Sequence, residues 1–234
     1  MAGSRKLEIA PVSMAIVVIG TEVVRMDWRI IETEQDLLEG QVFLAACEPR
    51  FASALQLIGV LPLRRKPAGF ATLLDAVMSQ QVSVASANAI WKRLEAAQLT
   101  DPETIAAATE EALRACGLSR QKIAYAYGLA NSGLDYDALR ELADEDVIAK
   151  LVALPGIGRW TAEVYALSAL GRANVFAAGD LALQEAARAL FEMEKRPSER
   201  ELRKLAESWS PWRAVAARLL WAYYRVTKER EGTR

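Results

Sequence analysis

Residues 154–163 read Leu-Pro-Gly-Ile-Gly-Arg-Trp-Thr-Ala-Glu and lie between two segments whose apolar residues recur at helical spacing. Pro155 predicts the end of the first helix, while Gly156 and Gly158 permit positive φ angles and a close approach of another molecule to the backbone. The second helix is expected to begin near Arg159 with its first amides unpaired, and glycine amides at a helix N-terminus form a site for an anion such as phosphate. An ordinary tight turn is the alternative, but two glycines at this spacing favour a phosphate-binding hairpin.

The composition argues against several kinds of catalytic and metal site. The chain has 234 residues, no histidine, and two widely separated cysteines, Cys47 and Cys116. A zinc finger, an iron–sulfur cluster, a disulfide framework and a nucleophile activated by histidine are therefore unsupported. Acid–base chemistry is left to carboxylates, lysine, tyrosine or water, and we expect a reducing, cytoplasmic compartment.

Charge gives only weak support for a nucleic-acid partner. The formal net charge is −1, and 52% of the residues are hydrophobic, as in an ordinary globular protein. Residues 195–234 carry 11 Lys and Arg against 5 Asp and Glu, a local excess of +6, and residues 64–66 form a second basic cluster. Such patches are more often solvated surface than a nucleic-acid footprint.

From residue 33 onward the apolar pattern is helical, and no long alternating run predicts a central sheet. We therefore predict an all-α fold. Proline, glycine and polar breaks separate the expected helices, which lie near residues 33–46, 51–58, 68–79, 83–97, 101–108, 110–116, 119–131, 144–154, 180–192, 198–208 and 212–229. Residues 1–32 are predicted to be an N-terminal extension, either disordered or the product of a start assigned too early, with Met26 as the true start. Its apolar stretch at residues 14–20 is too short to cross a bilayer.

The hairpin is one of several blocks that resemble the helix–hairpin–helix DNA glycosylase superfamily, and within it the 3-methyladenine DNA glycosylase II branch. In chain order the blocks are Pro62-Leu-Arg-Arg-Lys-Pro-Ala-Gly-Phe70, Met78-Ser-Gln-Gln-Val-Ser-Val-Ala-Ser-Ala-Asn-Ala-Ile-Trp91, the hairpin itself followed by Val175-Phe-Ala-Ala-Gly-Asp180, and Pro211-Trp-Arg with Trp221. The resemblance covers roughly residues 28–228, and blocks in this order are far more specific than a hairpin alone. It implies two helical lobes with a DNA cleft between them, one of residues 69–165 and one of residues 36–66 together with 170–228.

The resemblance makes Asp180 the catalytic residue. Breaking an N-glycosidic bond builds positive charge on the deoxyribose, and a carboxylate beside that centre stabilises the charge and can orient or activate water. Gly179 would let the backbone lie close to DNA. Asp180 also precedes an apolar helical stretch, so a plain N-cap is the alternative role, and the two roles are compatible.

Trp160 decides the subtype that the resemblance implies. Bifunctional members of the superfamily carry a lysine at this place, which forms a Schiff base with the sugar and cleaves the strand. An indole cannot do so, which makes this chain monofunctional. Trp160 and Trp221 are expected to line the base pocket, where indole faces favour a cationic alkylated purine; core packing is the alternative for each. Val164 and Leu181 stand where well-known members carry aromatic residues, which leaves the range of lesions open.

The remaining site residues also come from the resemblance. Gln81 is expected to be the wedge that enters the duplex when a base is flipped out, with Gln80 as its neighbour, although a polar helix junction is an alternative. Arg159 and Thr161 are expected at the DNA backbone with the hairpin glycines. The carbonyls of Val152, Leu154 and Ile157 match those that bind a monovalent cation in the family. No cofactor is required, and the cation would be a structural Na⁺ or K⁺.

These features together predict a monofunctional DNA glycosylase of base excision repair. It would release 3-methyladenine, and with it 7-methylguanine, from duplex DNA, as a monomer without a membrane partner. A glycosylase for deaminated or etheno purines is the first alternative, kept open by Val164 and Leu181. A non-catalytic module that binds damaged DNA is the second, but phosphate binding alone requires neither Asp180 nor the two tryptophans. A helical protein–protein scaffold would leave the hairpin glycines unexplained.

Overall fold

A computed structural model describes residues 16–19, 22–25 and 28–232, with no side-chain description for the first two ranges or for residues 229–232. The described part is mostly helical. Its α-helices are α1 Glu34–Cys47, α2 Pro49–Ile58, α3 Phe70–Met78, α4 Val84–Ala96, α5 Pro102–Ala107, α6 Glu110–Ala115, α7 Arg120–Ala130, α8 Asp144–Val152, α9 Arg159–Ser168, α10 Leu181–Leu190, α11 Glu199–Leu205 and α12 Arg213–Gly232. Short 3₁₀ helices lie at Ala138–Glu141 and Ala206–Trp209.

Polar caps explain where many of these helices begin. Thr33 and Ser198 form capping boxes at α1 and α11, with reciprocal bonds to the third residue of each helix. Ser83, Asp101 and Ser119 each accept a hydrogen bond from a first-turn amide of α4, α5 and α7. The observed helix bounds agree with those predicted from the apolar spacing to within a few residues, so the predicted helices are confirmed.

The N-terminal strands are an exception to the helical prediction. Strands β1 Ile16–Ile19 and β2 Glu22–Arg25 pair antiparallel, with Val17 opposite Val24. Both contain adjacent valines, and β-branched residues favour extended backbone over helix. These strands lie within the predicted extension; residues 1–15, 20–21 and 26–27 of that extension, among them the predicted start at Met26, lie outside the described residues. No helix among the described residues is long and apolar enough to cross a bilayer.

Two hydrophobic cores organise the helices. The first, the central lobe, is built by α3 to α9 and buries residues between Phe70 and Val175, including Leu74, Leu94, Leu151 and Tyr165. The second, the terminal lobe, joins α1 and α2 to α10, α11 and α12. The chain passes from the terminal to the central lobe after α2 and returns at the end of α9, so the hairpin and the segment that follows it lie at the junction.

The terminal lobe also includes residues that precede α1. The Ile31 amide donates to the Gly171 carbonyl at 2.7 Å, and the Ala173 amide donates to the Arg29 carbonyl at 2.9 Å. Ile31 is fully buried in the core of the lobe. The lobe thus begins before the boundary predicted at residue 33, through pairing with a segment about 140 residues away that apolar spacing cannot reveal.

Candidate active site

The predicted hairpin joins α8 to α9. Gly156 adopts φ +80°, the left-handed conformation that favours glycine, whereas Gly158 adopts φ −83° and ψ 167°. The expectation that Gly158 provides a positive φ is therefore wrong, because Gly156 alone makes the turn. The two glycines serve different purposes, and each needs its own explanation.

Gly158 keeps the start of α9 open. A Cβ atom built on Gly158 would meet no protein atom within 4 Å, and no side chain caps the helix. The first amides of α9 therefore remain available to an external acceptor, as anion binding at a helix N-terminus requires. A side chain at this position would project into the space that such an acceptor occupies.

Gly156 is required for packing. A Cβ on this residue would lie 2.5 Å from the Tyr125 ring, much closer than real contacts allow. The ring therefore packs directly on the hairpin backbone, and α7 fixes the position of the turn. No local pattern in the sequence predicts this contact, because Tyr125 lies on α7 and the hairpin follows α8.

We expect Gly156→Ala to lower the free energy of unfolding by about 2 kcal/mol or more, since it combines a positive φ with a clash. Thermal unfolding measures the effect. Gly133→Ala is the matched control, because Gly133 also has a positive φ, of +62°, but a Cβ there meets nothing within 4 Å. If the two variants lose equal stability, Tyr125 does not constrain the hairpin.

Asp180 lies at the junction of the lobes and receives hydrogen bonds from three groups. It is the N-cap of α10, where Oδ1 accepts from the Leu183 amide at 3.0 Å. The Trp221 indole donates to Oδ1 at 3.1 Å, and the Trp160 indole donates to Oδ2 at 3.0 Å. Asp180 is therefore an N-cap and also the meeting point of both predicted pocket residues, which come from α9 and α12.

The two indoles beside Asp180 differ in environment from the buried tryptophans of the terminal lobe. Trp160 is 42% exposed, and Trp221 is partly buried. Trp209 and Trp212, by contrast, are almost completely buried in the core of the terminal lobe. A large exposed indole that donates to a carboxylate is poorly explained by core packing, which was the alternative for Trp160.

The glutamines between α3 and α4 also lie beside the hairpin. The Gln80 amide donates to the Gly156 carbonyl and to Thr161 Oγ1, both at 3.0 Å. Gln81 is exposed, with φ +56°. Gln80 thus ties the hairpin to the central lobe, whereas Gln81 projects from it; the wedge role of Gln81 remains a prediction. Thr161 is 3% exposed, and its hydroxyl supports the turn through Gln80; its contact with the DNA backbone remains a prediction.

The family can be identified from the same region. Residues 74–211, more than half of the chain, match the family described as HhH-GPD superfamily base excision DNA repair protein. The chain belongs to the HhH-GPD superfamily. The matched span contains the hairpin, Asp180 and both glutamines, but ends before Trp221.

Similar proteins agree with this assignment. DNA-3-methyladenine glycosylase 1 of Schizosaccharomyces pombe is 31% identical over 202 residues, 81% of this chain and 89% of that protein. DNA-3-methyladenine glycosylase 2 of Escherichia coli K12 is 28% identical over 200 residues, 77% of this chain and 68% of that protein. The structure of S. pombe 3-methyladenine DNA glycosylase (Mag1) in complex with abasic DNA has a TM-score of 0.69 at 30% identity, covering 78% of this chain and 95% of that one. The resemblance and the helical fold predicted from the sequence are confirmed.

Arg159, for which the resemblance implies a place at the DNA backbone, pairs with carboxylates of the protein itself, and its contact with DNA remains a prediction. Its Nε donates to Glu163 Oε1 at 2.9 Å, and its Nη2 donates to Glu145 Oε1 at 3.0 Å. Glu163 lies one turn further along α9, and Glu145 lies on α8. Together the two carboxylates hold the guanidinium against the protein. A phosphate would have to compete with both of them.

Glu163 is a site residue that sequence reasoning missed. It is 2% exposed, and its Oε1 accepts from Arg203 at 2.8 Å as well as from Arg159, while Oε2 is buried without a partner among the described residues. Burial raises the pKa of Glu163, and the two arginines oppose that effect. Because Arg203 lies on α11, this ion pair joins the hairpin helix to the terminal lobe.

Gly179 is constrained by the same network. A Cβ on Gly179 would lie 3.2 Å from Glu199 Oε2, and Glu199 pairs with Arg203 at 2.8 Å. A side chain at Gly179 would therefore press on the exposed Glu199 carboxylate. The close approach to DNA that was predicted for Gly179 is not needed to explain the glycine.

A cavity of about 180 Å³ is lined in part by Trp221 and Val164. Its wall includes three arginines that sequence reasoning did not place there, Arg64, Arg218 and Arg225. The available signals are the basic excess of residues 195–234 and the basic cluster of residues 64–66, patches that are more often solvated surface. Leu181 is not in the wall of this cavity and is 61% exposed.

The carbonyl oxygens of Val152, Leu154 and Ile157 are the candidate ligands for a monovalent cation at the hairpin. The Leu154 carbonyl accepts from the Ile157 amide at 3.2 Å. Among the backbone hydrogen bonds of the described residues outside regular helices, none ends on the carbonyl of Val152 or Ile157. Free carbonyl oxygens suit a hard monovalent cation, so the residues fit the group that the family implies.

Proposed function

We propose that the protein is a monofunctional DNA glycosylase that releases alkylated purines, 3-methyladenine and 7-methylguanine, from duplex DNA. The observation that carries the proposal is the environment of Asp180. Its two carboxylate oxygens accept from the indoles of Trp160 and Trp221, beside a hairpin whose amides face outward. A module that only binds phosphate would not need a carboxylate fixed in this way.

The reaction follows from the position of this carboxylate. As the N-glycosidic bond breaks, its electron pair leaves with the base, and the deoxyribose becomes cationic at C1′. A fixed negative charge stabilises that cation, and water then forms the new bond to C1′ and loses a proton. The products are a free base and an abasic site in an unbroken strand. Donors that hold the carboxylate in place avoid reorganisation during the reaction.

The hairpin would bind the duplex, and Gln81 would fill the space of the flipped nucleotide. With a net charge of −1 the protein lacks general attraction for DNA, so local amides and nearby basic groups must provide the affinity. A Na⁺ or K⁺ held by the carbonyls of Val152, Leu154 and Ile157 would add positive charge at the hairpin. We propose that the protein works as a monomer in the compartment that holds the DNA.

The indole donors should matter for the chemistry and not only for packing. We expect Trp221→Phe, which keeps an aromatic ring and removes the hydrogen bond to Asp180, to reduce single-turnover base release about tenfold. Trp91→Phe is the matched control, because the Trp91 indole donates to Glu95 on the surface of α4. Equal rates for both variants would show that the bond to Asp180 has no catalytic effect.

The proposed function is tested by the state of the product strand. A duplex with one 7-methylguanine should remain intact on a gel after reaction and break only when alkali cleaves the abasic site. Borohydride should trap no protein–DNA adduct, because Trp160 offers no amine for a Schiff base. Strand cleavage without alkali, or a trapped adduct through any lysine, would contradict the monofunctional assignment. Failure to generate abasic sites in any alkylated duplex would contradict the glycosylase itself.

A further inference from the structure

The hydrogen bond between Trp160 and Asp180 depends on where α9 lies relative to the start of α10. The Trp160 indole donates to Asp180 Oδ2 at 3.0 Å, although Trp160 is 42% exposed. An exposed side chain packs against few neighbours, so packing around the ring does not by itself fix the indole beside the carboxylate. Other contacts must hold the first turns of α9 against the terminal lobe.

Glu163 provides such a contact three residues after Trp160. Residues three apart on a helix are neighbours on one face, and both of these side chains bind groups of the terminal lobe. Glu163 Oε1 accepts from Arg203 Nη1 on α11 at 2.8 Å. Leu167, one turn further along α9, is buried in the core of the terminal lobe and holds the other end of the helix. The ion pair therefore secures the part of α9 that carries Trp160.

The charge of Glu163 is compensated by arginine. Glu163 is 2% exposed, and its Oε2 has no hydrogen-bond partner among the described residues. Its Oε1 also accepts from Arg159, but that guanidinium is shared with Glu145. Removing one partner of a buried ion pair leaves a costly uncompensated charge. Without Arg203, α9 would be driven to shift so that water can reach Glu163.

Arg203 also contacts the segment that leads to Asp180. Its Nη1 lies 3.5 Å from the Phe176 carbonyl oxygen, at the outer limit of a hydrogen bond. From there the chain turns tightly, because the Ala178 amide donates to the Phe176 carbonyl at 3.0 Å and the Asp180 amide donates to the Ala177 carbonyl at 2.9 Å. One guanidinium therefore contacts both α9 and the turn that ends at Asp180.

We propose that Arg203 is a positioning residue for base release, which holds α9, through Glu163, where the Trp160 indole can donate to Asp180. The inference rests on the glycosylase function proposed above. The hydrogen bonds that Arg203 donates within the described part of the chain end on residues other than Asp180. Its effect on the reaction therefore passes through the bond from Trp160, which keeps the carboxylate preorganised for the sugar cation.

The test is a double-mutant cycle on single-turnover release of 7-methylguanine from a duplex with one lesion. We expect Arg203→Gln and Trp160→Phe each to lower the rate about tenfold, and the double variant to stay within about threefold of the slower single variant. Losses that pass through one hydrogen bond do not multiply, whereas a general loss of structure would multiply with the loss from Trp160→Phe. The dissociation constant for the duplex should change less than about threefold, because the hairpin amides are unaltered.

Further variants decide the matter if Arg203→Gln fails to fold. Glu163→Gln removes the buried charge itself, so no uncompensated ion remains, and its loss of rate should likewise not multiply with that of Trp160→Phe. Arg203→Lys retains a positive charge beside Glu163 and should restore the rate to within about threefold of the wild type. Arg114→Gln is the matched control: it removes an exposed ion pair with Glu110 on α6 and should change neither rate nor affinity.

The outcomes separate the role of Arg203 from the function on which it rests. Arg203 is not a positioning residue if its folded Gln variant keeps the wild-type rate, if the losses multiply in the double variant, or if Trp160→Phe alone has no effect. In each of these cases the glycosylase assignment stands. If the wild type releases no base from any alkylated duplex, the proposed function fails and the role of Arg203 fails with it. Losses that do not multiply, at unchanged duplex affinity, support the inference.

Discussion

Asp180→Asn should lower the rate of base release by on the order of a thousandfold while duplex binding changes little. The substitution removes the negative charge that faces the sugar cation and retains nearly the same shape. Asn caps a helix about as well as Asp, so α10 should keep its start and the protein its stability. The measurement is single-turnover release of base from an alkylated duplex, combined with the dissociation constant for the same duplex.

Asp101→Asn is the matched control for this variant. Asp101 is also an N-cap, at α5, and accepts from the Thr104 amide at 3.0 Å, but no tryptophan donates to it. It should keep wild-type activity, which separates the catalytic role of Asp180 from the capping role that both residues share. If Asp180→Asn retains near wild-type turnover, another group carries the reaction.

Gly158→Val should weaken binding of damaged and undamaged duplexes alike, by about tenfold or more. Because Gly158 has φ −83° and an open Cβ direction, the fold should tolerate the new side chain. The side chain would occupy the space in front of the α9 amides, where we place a backbone phosphate. Phosphate contacts position a duplex without reading its sequence, so the loss should not depend on the lesion.

The stability of this variant decides how the binding result is interpreted. Gly158→Val should unfold within a few degrees of the wild type, in contrast to Gly156→Ala, which lies against Tyr125. Binding should also weaken as salt rises, with a slope that reflects a handful of phosphate contacts. If Gly158→Val folds normally and binds undamaged duplex as tightly as the wild type, the hairpin does not hold the DNA.

Local patterns in the sequence predict helix starts, caps and turns, because these depend only on residues that are adjacent in the chain. The start of α9, the cap at Asp180 and the turn after Pro155 each follow from the preferences of a few adjacent residues. The family resemblance brought Trp160 and Trp221 together with Asp180, and the structure places all three in contact. Trp160 lies on α9, Trp221 on α12, and Asp180 at the N-cap of α10, so spacing alone could not have joined them.

Contacts between distant segments could not be predicted in the same way. The i,i+4 spacing of Arg159 and Glu163 on α9 is a local signal for their ion pair, whereas nothing local indicates that Glu145 on α8 also accepts from Arg159. The packing of Arg218 on the Leu63 carbonyl joins residues 155 positions apart, so its place in the cavity wall was invisible in the sequence. The sequence permits a positive φ at both hairpin glycines and does not show that Gly156 alone adopts one.

The most direct measurement of the central claim is chromatographic identification of free base released from methylated duplex DNA by the wild type and by Asp180→Asn. We predict that the wild type releases 3-methyladenine and 7-methylguanine and that Asp180→Asn releases neither above background. Release of both bases by the variant at the wild-type rate, or the absence of any free base with the wild type, would contradict the assignment of Asp180 as the catalytic carboxylate of a DNA glycosylase.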